Sequence, residues 1–307
     1  METPKVSIVI PLYQAENRIG TMLNCIKKQT FKDYEVILID DGSTDHSLSV
    51  CKSYAITDER IKVFHQENKG VADARNFGLQ QSKGDFVAFL DADDEIPSDY
   101  VETLVKTQKE TEADITVCDV VMLSDGHEMN RFTYEVATLN QKKALDYLLS
   151  REIINSGPYA KLFCKSIIKN IQFPNLKVYE DIIFVTEVFE RANIIAVTNK
   201  TEYRYIQNTE GAMSNFSKAP SLDIVTATQY LVSFIDKHKE LSPKCFYITL
   251  SHLMQYLQLI EKQDKRIPFC KETRKLFRNN IIRIISCQSF PWKEKILFIL
   301  TAFGIAY

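Results

Sequence analysis

The chain has 307 residues, enough for one large domain or for a domain with an appendage. Its apolar fraction of 45% and charged fraction of 25% are those of a soluble globular protein, and a formal net charge of -2 excludes a strongly basic nucleic-acid binder. Seven scattered cysteines without a Cys-x-x-Cys pair argue against a disulfide framework or a zinc-thiolate centre, and for a reducing, cytoplasmic compartment.

The opening Met-Glu-Thr-Pro-Lys is followed by only a short apolar run to Ile10, which does not read as a signal peptide. Val6–Ile10, Val36–Ile39, Ile61–Phe64 and Phe86–Leu90 are apolar at nearly every position, as strands buried on both faces are. Between them, Ile19, Met22, Leu23 and Ile26 recur at helical spacing. Ser43-Thr44-Asp45 offers an N-cap to a second helix, and Ala72–Gln81 forms a third. Strands alternating with helices predict an open α/β sheet with right-handed crossovers.

A helix from about Pro97 leads to a fifth strand at Ile115–Cys118, then a less regular stretch through Asp125-Gly126 and Phe132–Tyr134. Gln141–Leu149 and Asp181–Arg191 read as helices, Gly157-Pro158 and Phe173-Pro174-Asn175 as turns, and Ile194–Val197 and Tyr203–Ile206 as two short strands. From about Pro220 only helices are predicted: Leu222–His238, Cys245–Lys262, Phe269–Ser286 and Pro291–Ala302. The chain is therefore read as an α/β domain over 1–215, the part that would carry any catalytic site, with a helical C-terminal appendage over 216–307. Ile296–Tyr307 is too short to span a bilayer, which takes about 20 residues. Trp292, Ile296, Leu297, Phe298 and Leu300 with Lys293 and Lys295 could instead form an interfacial membrane helix or pack on the domain.

Ligands of an open parallel α/β sheet bind beyond the carboxyl ends of its strands. Strand one is followed by Pro11, Tyr13 and Glu16, and strand two by Asp40-Asp41-Gly42-Ser43. Asn68-Lys69-Gly70 and Arg75 follow strand three, and Asp91-Ala92-Asp93-Asp94 follows strand four. Three carboxylates in four residues repel unless a cation or N–H donors compensate them, and an all-oxygen set favours Mg2+ or Mn2+. Asp93 and Asp94 could equally cap the next helix. Tyr13 could be core or stack on a nucleobase, and a carboxylate accepting N–H groups from a base is a reasonable use for Asp40. Arg75 could lie on the surface, offset the acidic cluster or meet a phosphate. Glu180-Asp181 could complement a helix dipole or supply a general base.

These motifs resemble glycosyltransferase family 2, whose members have the GT-A fold. Val6-Ser-Ile-Val-Ile-Pro-Leu-Tyr13, Asp40-Asp-Gly-Ser-Thr-Asp45, Asn68-Lys-Gly-Val-Ala-Asp-Ala-Arg-Asn76, Phe89-Leu-Asp-Ala-Asp-Asp94 and Tyr179-Glu-Asp181 are similar to the family's ordered blocks. The resemblance implies a Rossmann-like, mostly parallel central sheet flanked by helices. It implies an inverting transfer from a nucleotide-diphosphate sugar, with UDP the expected nucleotide, to a saccharide or lipid-linked saccharide hydroxyl in cell-surface polysaccharide synthesis. Pro11, Tyr13, Glu16, Asp40, Asp41, Asn68, Arg75, Asp91 and Ala92 would lie on the donor side. Asp93 would ligate Mn2+ or Mg2+, and Asp181, with Glu180 second, would be the base. Lipid-linked acceptors would bring the enzyme to the inner face of the membrane.

Gln14 stands where the family more often has Asn, and Gly157-Pro-Tyr-Ala-Lys-Leu-Phe163 where it often has a Trp-Asn-Lys-Leu-like segment. No Gln-x-x-Arg-Trp block of processive synthases occurs, which favours addition of single sugars. A sugar-nucleotide pyrophosphorylase or a dinucleotide oxidoreductase needs a glycine-rich loop that Pro11–Glu16 lacks. A nucleotide-sugar-binding module without transfer activity is a further alternative.

Overall fold

The computed structural model describes residues 4–123, 136–206, 221–261 and 268–305. The readings at Asp125-Gly126 and Phe132–Tyr134, and the boundary between 215 and 216, lie outside the described residues. Eight strands form one sheet in the order β3-β2-β1-β4-β7-β5-β8-β6. They are β1 (Val6–Leu12), β2 (Tyr34–Asp41), β3 (Ile61–Gln66), β4 (Phe86–Phe89), β5 (Ile115–Leu123), β6 (Val136–Asn140), β7 (Lys161–Cys164) and β8 (Ile194–Ile206).

The first four strands pair parallel, as their unbroken apolar runs predict. Every residue of β1 and β2 is buried, because helices cover both faces. α1 (Ile19–Lys27), α2 (Ser47–Thr57) and α4 (Tyr100–Thr111) cover one face, with Ile8, Ile10, Val36 and Leu38 pointing toward them. α3 (Val71–Gln81), α5 (Gln141–Leu149) and α7 (Glu180–Arg191) cover the other, against Val9, Ile37, Ile39, Val87 and Phe89.

The second half of the sheet is mixed, because β7 runs antiparallel to both β4 and β5. Neither β7 nor β6 is legible in the sequence, since four or five residues carry too little periodicity. The two short strands predicted at Ile194–Val197 and Tyr203–Ile206 are one continuous strand. Its register slips against β5, so that Thr198 faces Cys118 while Glu202 faces Asp119. The intervening residues 199–201 form a bulge, which re-aims the end of the strand.

A short turn of helix, α6 (Lys165–Ile168), follows β7. Beyond residue 220 lie α8 (Asp223–Lys237), α9 (Pro243–Glu261), α10 (Pro268–Asn279), α11 (Ile281–Ser286) and α12 (Trp292–Ala302). The helix predicted over Phe269–Ser286 is broken at Asn280, whose side-chain amide donates to the Leu276 carbonyl (2.9 Å). These helices share a continuous apolar core with the α3 face of the sheet, through Ile224, Leu253, Phe277 and Phe298. Phe298 packs edge-on against Phe277 and Phe290, so it is no membrane contact, whereas Trp292 and Ile296 point outward. Among the described residues no helix is long and apolar enough to cross a membrane.

Candidate active site

The pairing directions bring one set of strand ends to a single edge. There lie the carboxyl ends of β1, β2, β3, β4, β5 and β8, together with the amino end of antiparallel β7. The candidate residues are built up along this edge.

On the β1–β2 side, Pro11 lies buried within β1 opposite Ile39, and Tyr13 follows, half exposed. Gln14 takes a left-handed backbone (φ 51°), a conformation Asn tolerates better. Its carboxamide nevertheless does local work. It donates to Thr44 Oγ1 (3.0 Å) and accepts from the Thr44 and Asp45 N–H groups (3.1 and 3.2 Å). Glu16 is engaged as well: it accepts from the His46 N–H (2.8 Å) at the start of α2. The side chains of Gln14 and Glu16 therefore fasten the β1 loop to the β2 loop. The N-cap expected within Ser43-Thr44-Asp45 falls instead on His46, which makes no side-chain cap, while Asp45 just before it accepts from the Ser47 N–H (3.0 Å).

Asp40 and Asp41 point different ways, as adjacent strand residues must. Asp41 accepts from Gln66 Nε2 (2.7 Å) and from the Lys69 and Gly70 N–H groups (3.0 and 2.8 Å). Both its oxygens shape the β3 loop, which gives the carboxylate a structural role. The same loop presses on Gly42: with φ at 77°, a Cβ there would sit 2.7 Å from the Asn68 nitrogen. Asn68 is thus beside the β2 loop, with its side chain exposed. Asp40 is fully buried; Oδ2 lies 2.6 Å from His65 Nδ1, and Oδ1 has no hydrogen-bond partner. An orphaned buried carboxylate oxygen is costly unless a ligand supplies its donor.

At the end of β4, Asp91-Ala92-Asp93-Asp94 diverges into three uses. Asp94 is buried and accepts from Tyr203 Oη (2.6 Å) and the Ile206 N–H (2.8 Å). It ties the loop to β8 and caps no helix. Burial, with Asp91 beside it, pushes its carboxyl up to about 8. Ala92 is buried. Asp91 anchors its N–H on Tyr203 Oη (3.1 Å) and lies 3.0 Å from Arg75 Nη2. Asp93 is partly exposed, with Arg18 Nη1 3.6 Å away. Among the described residues no three metal-ligating side chains gather. A cation on Asp93 therefore needs phosphate and water oxygens for the rest of its shell, which suits a hard ion such as Mg2+ or Mn2+.

Arg75 is the centre of the site. It is buried, not on the surface, and its second arm reaches Glu180 Oε1 (2.6 Å), so one guanidinium spans Asp91 and Glu180. Its Nη atoms meet carboxylates, the arrangement in which Arg75 offsets the acidic cluster. Asn76 next to it donates to the Phe173 carbonyl (2.9 Å) and accepts from the Phe173 N–H (2.8 Å). Together Arg75 and Asn76 pin the chain entering α7 to α3. Tyr179, just before that helix, is left-handed (φ 66°), a strained state that turns the chain into the cleft. Phe173 stacks on Phe184 at 3.8 Å and packs against Phe89, a floor that fixes α7 from below.

Asp181 is half-buried and accepts from the Ile182 N–H (2.7 Å). Its carboxyl is raised by burial, against the pull of Arg75. Glu180, deeper and paired to Arg75, is pushed up to about 7 by burial, with Asp181 adding to the rise. Of the two, Asp181 retains access to the cleft. A carboxylate of raised pKa in partial contact with solvent can accept a proton from a hydroxyl.

Sequence reasoning missed three contributors: His65, Tyr203 and Lys161. Lys161 is fully buried, and its ammonium donates to Asn155 O (3.0 Å), Asn155 Oδ1 (2.9 Å) and Gly157 O (2.7 Å). Its position in the Pro-Tyr-Ala-Lys-Leu segment was the available signal.

Residues 7–171 match the family model described as Glycosyl transferase family 2. Glycosyltransferase GlyA of Streptococcus pneumoniae serotype 4 is 29% identical over 269 residues, covering 84% of this chain and 37% of the relative. Among solved structures, S. aureus TarS superposes with a TM-score of 0.71 at 21% identity, over 97% of this chain and 52% of that one. A mannosyltransferase from Pyrobaculum calidifontis, PcManGT in complex with GDP-Man and Mn2+, gives 0.57 at 15% identity, over 99% and 87%. The chain thus spans only about a third of GlyA and half of TarS. With the family model covering more than half its length, and with the strand-end motifs and the GT-A arrangement in place, this chain belongs to glycosyl transferase family 2.

Proposed function

We propose that the protein transfers a sugar from a nucleotide-diphosphate donor, with UDP the expected nucleotide, to a hydroxyl of a saccharide or lipid-linked saccharide, with inversion. The observation that carries this is the Arg75 bridge: one buried guanidinium joins Asp91, at the donor end of β4, to Glu180, the residue before Asp181. The bridge supports one shared site for the donor-side and base-side motifs. TarS has been crystallised with UDP-GlcNAc, and PcManGT with GDP-Man and Mn2+, which supports both a nucleotide-sugar donor and a divalent cation.

In this reading the orphan Oδ1 of Asp40 accepts an N–H of the base, and Tyr13 stacks on its face. Asp91 faces the ribose and donor sugar. Asp93 would hold Mg2+ or Mn2+, which, when bound, neutralises charge on the departing diphosphate. Asp181 takes the acceptor's proton as its oxygen attacks the anomeric carbon from the face opposite the diphosphate. Arg75 bridges Asp91 and Glu180 and lowers the cost of their charge without touching the reacting atoms. The C-terminal helices support a membrane-facing orientation: Ile282, Ile285, Trp292, Ile296, Phe303 and Ile305 are all exposed, with Lys293 and Lys295 among them.

The test is a panel of nucleotide sugars with Mn2+ or Mg2+, read by nucleotide release and by thermal shift. Release from one donor, lost on chelation and in Asp93→Asn, is expected. Tight nucleotide binding without release or transfer for any donor would favour a binding module instead.

A further inference from the structure

Across the sheet, the candidate donor groups run in one direction. Asp40 stands on β2, and Asp91 and Asp93 follow β4 two strands away. The next strands in that direction are β7, β5 and β8, and the first and last of these bring tyrosines to the same edge. Tyr159, just before β7, stacks on Tyr203 (4.9 Å, 22°) and on Tyr205 (5.7 Å, 28°), both on one face of β8.

This stack is firmly held. The Tyr159 ring folds over Gly157, where even a Cβ would come within 2.3 Å of it. Ala160 is left-handed (φ 58°), and the Lys161 ammonium gathers the carbonyls of Asn155 and Gly157. Tyr203, the buried member, spends its hydroxyl on Asp94 and Asp91. Tyr159 and Tyr205 are only partly buried, and neither hydroxyl has a hydrogen-bond partner among the described residues. Tyr203, on which Tyr159 stacks, holds the Asp91 N–H (3.1 Å), and both Asp91 and Asp181 act electrostatically on the two phenols, so both carboxylates are near the pair.

A rigid aromatic surface with two unused hydroxyls, next to a candidate base and past the end of the donor track, has the features of a sugar subsite: an apolar face for C–H groups and polar points for hydroxyls. We infer that Tyr159 and Tyr205 form the platform on which the acceptor's pyranose ring rests while its hydroxyl is presented to Asp181. This rests on the proposed function, and it adds the residues that seat the acceptor sugar. Tyr159 and Tyr205 are positioning residues here.

The test uses the full chain saturated with UDP and Mg2+, and saturation-transfer NMR to methyl β-D-glucopyranoside and methyl N-acetyl-β-D-glucosaminide as probes. Ring protons of at least one glycoside should receive saturation, with an affinity about fivefold weaker in Tyr205→Ala and largely kept in Tyr205→Phe. Tyr159→Phe serves beside them, because Tyr159→Ala would unpack Tyr203. Thermal shift by UDP monitors the nucleotide half in every variant. Where UDP stabilises the protein yet no glycoside is saturated, or Tyr205→Ala matches the parent, the platform is refuted. An effect of Tyr205→Ala confined to the KM of the nucleotide sugar also overturns it, since the pair would then hold the donor. Failure of UDP to bind at all is a different result and overturns the proposed function itself.

Discussion

Replacing Arg75 by Gln removes the guanidinium between Asp91 and Glu180 and leaves those carboxylates, with Asp181, facing one another. Arg75 and Glu180 are each only 7% exposed, so water does little to screen the pair. Opposite unit charges at 4 Å attract by about 4 kcal/mol at an effective dielectric of 20, and breaking a buried pair costs about 3–5 kcal/mol. At about 2–4 °C per kcal/mol this lowers the melting temperature by about 6–20 °C. The loss has a pH signature. Glu180 is already pushed up to about 7, mostly by burial, above an ordinary value of 4.5. A carboxyl raised in the fold binds its proton more tightly folded than unfolded, so its contribution to stability falls as pH rises from 4.5 through about 7. Without Arg75 the folded value rises further and the fall continues to higher pH. Urea unfolding of both proteins should therefore show a deficit that is small near about pH 5 and is still growing near about pH 8. Adding Glu180→Gln to the variant should restore at least about 1 kcal/mol. A deficit below about 1 kcal/mol at pH 8, or one that does not change with pH, would refute the view of Arg75 as the charge that holds the cleft together.

Other expectations concern single parts. Asp181→Asn should lower turnover by about 100-fold or more while UDP affinity, by calorimetry, changes little; full turnover would remove Asp181 as the base. Asp40→Asn should weaken UDP binding by about tenfold, since a charge-assisted hydrogen bond is worth about 1.5–3 kcal/mol, and an unchanged affinity would detach Asp40 from the base. Lys161→Met strands several buried carbonyl oxygens and should cost about 2–4 kcal/mol in denaturant unfolding; a near-neutral result would mean the loop at 155–159 holds without its ammonium. The parent should sediment with anionic vesicles and a Trp292→Glu/Ile296→Glu variant should not, whereas a parent that stays in the supernatant rules out membrane docking through α12.

The sequence by itself determined the parallel half of the sheet. A strand buried on both faces must be apolar throughout, so β1, β2 and β4 announce themselves, and their carboxyl ends mark where Asp40 and Asp91 must lie. Local patterns also gave Gln141–Leu149 as a helix to the residue. What tertiary structure decided was the assignment among neighbouring acidic residues. Asp40 and Asp41 look alike in sequence, yet one is left with an orphan oxygen and the other is consumed by the β3 loop. Asp94 belongs to Tyr203, 109 positions away, and Arg75 to Glu180, 105 positions away. The antiparallel insertion of β7, which carries Tyr159 and Lys161 to the cleft, is four residues long and has no pattern of its own. Periodicity reports which face of an element is buried, because burial repeats along a helix or strand. Which polar groups meet depends on contacts between elements far apart in the chain, and those exist only once the sheet has formed.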